Sequence, residues 1–189
     1  MQPDSTGNSK QPNYKPDILC VMPFQFTENG PGVGIGYERR LDKRGVFAFY
    51  IPAIITFNVA NTNRIYDYNT GNYSTGKTDP MLYAMPGIKL YPTGSDGKIK
   101  YATGVSVVIG SGKQSSYLTN LNGLNTTELV QHHFLAGYMW QNSLNVNMDA
   151  RIYLGAELGL GGTFINKAGG GNENNEFLIH GGLKIGYRF

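Results

Sequence analysis

Two adjacent histidines, His132 and His133, are the side chains best suited to acid–base chemistry, and the third histidine of the chain, His180, lies far away in sequence. Ser111, Ser115, Ser116 and Glu128 fall near the pair. A serine, a histidine and a carboxylate within hydrogen-bond reach form an acyl-transfer centre: the imidazole takes the hydroxyl proton and the acid orients the imidazole. Neighbouring residues of a strand point to opposite faces, however, so His132 and His133 cannot act together, either on one proton or on one metal ion. No metal and no cofactor is expected. The runs Gly32-x-Gly34-x-Gly36 and Gly159-x-Gly161-Gly162 lack the following helix and the Lys-Ser/Thr ending that a phosphate loop needs. A second group is charged: Glu38, Arg40, Lys89, Lys100, Arg151, Glu157, His180, Lys184 and Arg188. What these share depends on the elements that carry them.

Composition narrows those elements. Glycine accounts for 26 of 189 residues, about twice its usual share of ~7%. Charged residues make up 15% and aromatics 12%, a balance that excludes disorder, which needs few aromatics and much charge. No run of about 18 apolar residues exists to form a membrane helix. Net charge is +3 (16 − 13). The tightest basic group, Arg39, Arg40, Lys43 and Arg44, sits beside a turn signal rather than on a stacking face, so no nucleic-acid partner is expected. Cys20 is alone and permits no internal disulfide. Residues 1–16 carry three prolines among small polar residues and read as a flexible tail. Met1-Gln2-Pro3-Asp4 lacks the basic and apolar regions of a secretion signal, which leaves either a cytoplasmic protein or a mature chain. The domain runs from 17 to 189.

Period-2 alternation is the dominant signal. Phe177, Ile179, Gly181, Leu183, Ile185, Tyr187 and Phe189 share one face of a strand whose other face is Leu178, His180, Gly182, Lys184, Gly186 and Arg188. Residues 152–164 and 99–110 repeat the pattern. Eight strands are predicted, near 18–27, 33–41, 46–58, 81–91, 98–110, 130–144, 151–165 and 177–189. Short turns (42–45, 92–97, 145–149) alternate with long polar connections (59–80, 111–129, 166–176), only the first connection, 28–32, being brief. Even strand number, strands near or above 9–11 residues and turns of unequal length predict an all-β, eight-stranded antiparallel transmembrane β-barrel. Lipid offers no partner for backbone groups, so a spanning sheet must close on itself. A soluble barrel or sandwich would need more charge on its outer face. Tyr91, Tyr101, Trp140, Tyr153, Tyr187 and Phe189 are expected to girdle the short-turn end.

On this register the charged group above lines the bore. Buried charges need partners, and Glu38 and Glu157 are the anions for Lys89, Lys184 and Arg188. The polar network is therefore Glu38, Arg40, Lys89, Lys100, Glu157, His180, Lys184 and Arg188. His132 should face lipid near the long-loop end and His133 the bore. Tyr66, Tyr68 and Tyr73, set among Asn, Thr and Gly in the 59–80 connection, have the composition of a docking surface.

The chain end Ile185-Gly186-Tyr187-Arg188-Phe189 resembles the C-terminal signal of Gram-negative outer-membrane barrels, which carries a terminal aromatic and apolar residues at alternate positions. Phe189, Tyr187, Ile185 and Leu183 match it. The segment Gly34-Ile35-Gly36-Tyr37-Glu38-Arg39-Arg40-Leu41 is similar to the second strand of small barrels of the OmpA/OmpW type, and the resemblance covers 18–189. It implies a cell outer-membrane location, insertion by the barrel-assembly machinery, and contact with outer-membrane lipid and lipopolysaccharide. The expected role is structural or accessory and non-enzymatic, as a subunit of a larger outer-membrane complex. Some small outer-membrane barrels are lipid A deacylases with Ser, His and Glu at the outer rim, but their His-x-Ser-Asn pattern is absent here, where His180 precedes Gly181-Gly182. A narrow channel or a conduit for hydrophobic ligands is the third reading. No peptidoglycan-binding domain follows the barrel, so the tethering role of full-length OmpA is not expected.

Overall fold

The structure, a computed structural model, describes residues 15–57, 65–67, 72–74, 80–94, 98–119, 126–172 and 174–189. The wall strands are β1 (Asp17–Thr27), β2 (Gly30–Arg40), β3 (Phe47–Phe57), β4 in two pieces (Pro80–Ala84 and Gly87–Leu90), β5 (Ile99–Thr119), β6 (Thr126–Asn147), β7 (Ile152–Ala168) and β8 (Phe177–Arg188). Each pairs antiparallel with the next, and β1 pairs antiparallel with β8 from Ile18↔Arg188 to Thr27↔His180. The sheet therefore has no edge, which is the condition for a spanning sheet in lipid.

Proline placement explains the irregularities. Pro23 lies inside the register shift of β1, where a missing N–H costs no ladder bond. Pro86 separates the two halves of β4, and the ladder resumes around it through Met85 N to Pro52 O (3.0 Å) and Val107 N to Pro86 O (3.0 Å). A second bulge at Thr163/Ile165 flips the parity of β7, so Phe164 and Ile165 both face outward.

Strand limits differ from the sequence expectation in one respect. β5 and β6 run paired as far as Thr119↔Thr126, so most of the expected 111–129 loop is wall. Pairing this far requires backbone partners rather than apolar side chains, and a stretch rich in Ser, Gly, Gln and Thr gives no hydrophobic period. A short hairpin, Ile65–Asp67 with Asn72–Ser74, lies within 59–80. Tyr68 and most of the tail 1–16 lie outside the described residues.

Two of the short turns are organised by aspartates. Asp42 accepts from Phe47 N (2.7 Å) and Arg44 N (3.0 Å), and Gly45 takes the left-handed φ of 62° there. Asp149 accepts from Arg151 N (2.6 Å) and Ile152 N (2.7 Å). These backbone N–H groups hold both carboxyls below the ordinary aspartate value. A lowered folded-state value means the stability these bonds add is fully present above the ordinary aspartate value of about 4 and is lost as the pH falls through the lower folded-state value. Acidification from pH 6 to pH 3 should lower the thermal midpoint of the wild-type barrel. Asp149→Ala should start lower and show a flatter response; an equal pH response in both would refute the assignment.

Most outward positions are apolar: Val21, Ile35, Phe47, Ile88, Val105, Trp140, Leu158 and Ile185 are all at least 47% exposed. The inside is built in two levels. Toward the long loops lies a methionine-rich cluster, Met22, Ile54, Met81, Tyr83, Met85, Val108, Leu135, Met139 and Leu178. Toward the short turns the interior is charged.

Candidate functional site

Parity along each strand brings the charged residues together. Glu38 is two positions from the short-turn end of β2, Lys89 close to that end of β4, and Lys184 and Glu157 somewhat deeper on β8 and β7. Lys184 Nζ lies 2.9 Å from Glu157 Oε2. Lys89 Nζ stands 3.5 Å from both Glu38 Oε2 and Glu157 Oε2, and 3.2 Å from the centre of the Tyr50 ring. Two carboxylates and two ammoniums thus form one neutral quartet, with all four residues buried. Tyrosines complete it: Tyr50 OH donates to Glu157 Oε1 (3.1 Å) and Tyr91 OH to Glu38 Oε1 (2.5 Å). His180 Nε2 bonds Gln25 Oε1 at 2.8 Å and lies 3.9 Å from Glu157 Oε1.

Below the quartet, toward the short turns, Arg188 donates to Asn147 Oδ1 (2.6 Å) and lies 5.4 Å from the Tyr153 ring centre. Lys100 faces the Tyr91 and Tyr153 rings at 5.9 and 6.0 Å. Cys20 Sγ and Tyr153 OH are 2.9 Å apart. Arg40 is half-buried at the mouth. Glycines make room for these long side chains. A Cβ on Gly155 would meet Asn145 Oδ1 at 2.5 Å and Lys184 Cε at 2.7 Å, and one on Gly186 would fall on the Tyr153 ring.

Four expectations need correction. Tyr91 and Tyr153 are not girdle residues; they are buried inside, where their hydroxyls serve Glu38 and Cys20. An amphipathic tyrosine suits a rim and a polar interior equally well. Arg151 is not in the bore but exposed in the turn after β6. Trp140 faces outward but at mid-wall, paired with Val105 and Leu160, rather than at the short-turn rim, while Tyr101, Tyr187 and Phe189 face outward nearer that end. Tyr50, Gln25 and Asn147 are partners of the charges that sequence reasoning does not pick out. Strict alternation across β3 and β6 is the signal that places Tyr50 and Asn147 inside, whereas the Pro23 bulge hides Gln25.

The histidine pair divides as expected. His132 is exposed, while His133 Nε2 bonds Asn166 Oδ1 at 2.6 Å. Ser111 pairs with Phe134 and is exposed on the outer face, away from His133. The side chains of Ser115, Ser116 and Glu128 lie outside the described residues. Among the described residues no group of three or more His, Cys, Asp and Glu could hold a metal ion.

No protein-family model and no curated protein sequence matches the chain. Solved structures do. A major outer membrane protein from Thermus thermophilus aligns over 93% of this chain and 99% of its own, with a TM-score of 0.64 at 11% identity. The fold is that of the outer-membrane β-barrels. The barrel is also similar to OprG from Pseudomonas aeruginosa (TM-score 0.59, 9% identity, 95% of this chain and 98% of that one). Ail, the attachment invasion locus protein of Yersinia pestis, aligns with a TM-score of 0.54 at 8% identity over 93% of this chain and 99% of its own. At these identities the likeness concerns the path of the wall, and the interior of this barrel has to be read from its own residues.

Proposed function

We propose that the chain is an integral barrel of the outer membrane with a structural or accessory role, as a subunit of a larger outer-membrane complex, its short-turn end toward the periplasm. The observation that carries this is the filled bore. The neutral quartet closes the lower level, and four of the six methionines help to close the upper one. Eight strands leave room inside for side chains only, and a wall so filled serves best as a scaffold. On this reading the outward Leu183, Ile185, Tyr187 and Phe189 of β8 form the signal read by the barrel-assembly machinery, and the outer face contacts lipid and lipopolysaccharide.

The test is purification of the tagged full-length protein from its native membrane in mild detergent, followed by size-exclusion chromatography and quantitative mass spectrometry. A companion co-eluting at fixed stoichiometry is the expected result. A barrel that elutes alone and conducts ions in planar bilayers would be a channel instead. A change in lipid A mass that depends on His132 or His133 would make it an enzyme. The hydrogen bond of His133 to Asn166, rather than to a serine, speaks against that last reading.

A further inference from the structure

The outer face carries a polar spot that wall closure does not require. Thr103 of β5 and Asn142 of β6 are directly paired and share the parity of the outward Tyr101, Val105, Trp140 and Leu144. Tyr101 OH donates to Asn142 Oδ1 (2.5 Å) and Trp140 Nε1 to Thr103 Oγ1 (2.8 Å). Beside them a groove of about 270 Å³ opens on the lipid side, lined by Tyr101, Asn142, Leu144, Ala156 and Leu158 among others. Ala156 sets its depth, since the flanking outward positions of β7 are the larger Leu154 and Leu158.

Two of these three strands, β5 and β7, begin beside a cation at the short-turn end. Lys98, just before β5, and Arg151, just before β7, are both exposed and flank the end of β6, where Asn147 N bonds Lys98 O (2.8 Å). They belong to a basic rim. Among the described residues, Lys15, Arg39, Lys43, Arg44, Lys98 and Arg151 are exposed at the short-turn end. Among the described residues the acids there are Asp17, Asp42 and Asp149, all engaged locally. Asp17 accepts from Tyr37 OH and lies 3.6 Å from Arg39 Nη1, while the other two hold their turns. The long-loop end has no such excess: among the described residues Glu28, Asp67, Glu128 and Glu176 stand against Lys113 and Lys167.

We propose that Lys98, Arg151 and the groove below them form a binding site for one anionic glycerophospholipid. One acyl chain lies in the groove along Leu144, Ala156 and Leu158, and the headgroup phosphate meets the two cations, whose long side chains reach along the wall to the interface. A soluble anion would need the cations but not the groove; a neutral lipid would need the groove but not the cations. The site rests on the reading above that the short-turn end points toward the periplasm, the side on which an outer membrane presents its phospholipid leaflet.

The sole tryptophan, Trp140, lies two residues from Asn142 on the same face and reports on the groove. The full-length barrel is reconstituted in phosphatidylcholine vesicles doped with lipids carrying brominated chains, which quench tryptophan on contact. Brominated phosphatidylglycerol should quench Trp140 with a relative binding constant several-fold above that of brominated phosphatidylcholine, given about five-fold per surface cation before screening. The preference should fall toward one in 0.5 M salt, in Lys98→Glu with Arg151→Glu, and in Ala156→Leu, which fills the groove and leaves the charge unchanged. Lys43→Glu with Arg44→Glu, the same charge change elsewhere on the rim, should leave it intact. Equal quenching by both lipids in the wild-type protein overturns the site, as does a preference that survives the Lys98/Arg151 change. Quenching by neither lipid would remove the membrane reading itself.

Discussion

Glu157→Gln should destabilise the barrel by about 3–5 kcal/mol, the usual consequence of removing one partner from a buried ion pair. Glu157 sits at the centre of the interior charges: Lys184 lies 2.9 Å and Lys89 3.5 Å from the same oxygen, and Tyr50 donates to the other. Neutralising it leaves two buried ammoniums facing Glu38 alone, which is 3.5 Å from Lys89. Glu38→Gln should cost less, because Lys184 keeps its closest partner. The combined change Glu157→Met with Lys184→Met should recover much of the loss, since removing both charges leaves no lone ion beside the methionine cluster. Urea titration in detergent, followed by the gel-mobility difference between folded and boiled barrel, measures all three. A loss under about 1 kcal/mol for Glu157→Gln would show that water reaches the quartet and screens it.

Val105→Arg should cost about 2–4 kcal/mol in a bilayer, the depth-dependent penalty for a cation near the midplane of a lipid-facing wall. Val105 is 65% exposed and pairs with Trp140 and Ile88, well away from either rim. The sign of the effect is diagnostic. On a water-washed wall the same substitution would fall within about 0.5 kcal/mol of zero and improve solubility. Refolding yield and urea midpoint in vesicles of matched thickness decide it, and an unchanged midpoint would mean that this face does not meet hydrocarbon.

Much of the wall can be read directly because two of its strands alternate strictly. β8 places Leu183, Ile185 and Tyr187 outside and Lys184 and Arg188 inside without interruption, and β7 does so from Ile152 to Leu160. Alternation of this kind is enough to put Glu38, Lys89, Glu157 and Lys184 in the bore. The departures have separate physical causes. Tyr91 and Tyr153 share the parity of Lys89 and Glu157, which places them inside, but a tyrosine is apolar at one end and polar at the other and suits a rim as well, which is why they read as girdle residues. The upper interior escapes the reading because Met81, Met85 and Leu178 are apolar like the outer face, so no contrast marks which side they are on. β5 and β6 outrun their expected limits because their outer ends are held by backbone bonds between largely polar residues, whose few apolar members form no regular period.

The seam between β1 and β8 also constrains how the chain reaches this state. It joins position 18 to position 188, so the last contact to form spans nearly the whole chain, and the entropy of that closure is met only once every intervening strand is in place. Until then both seam strands expose unpaired backbone groups that hydrocarbon cannot satisfy. A half-built barrel is therefore not a stopping point in the bilayer. Insertion and closure are expected to be coupled, with pairing of the C-terminal strand a late step, and the unfolded chain must be kept from aggregating until it occurs.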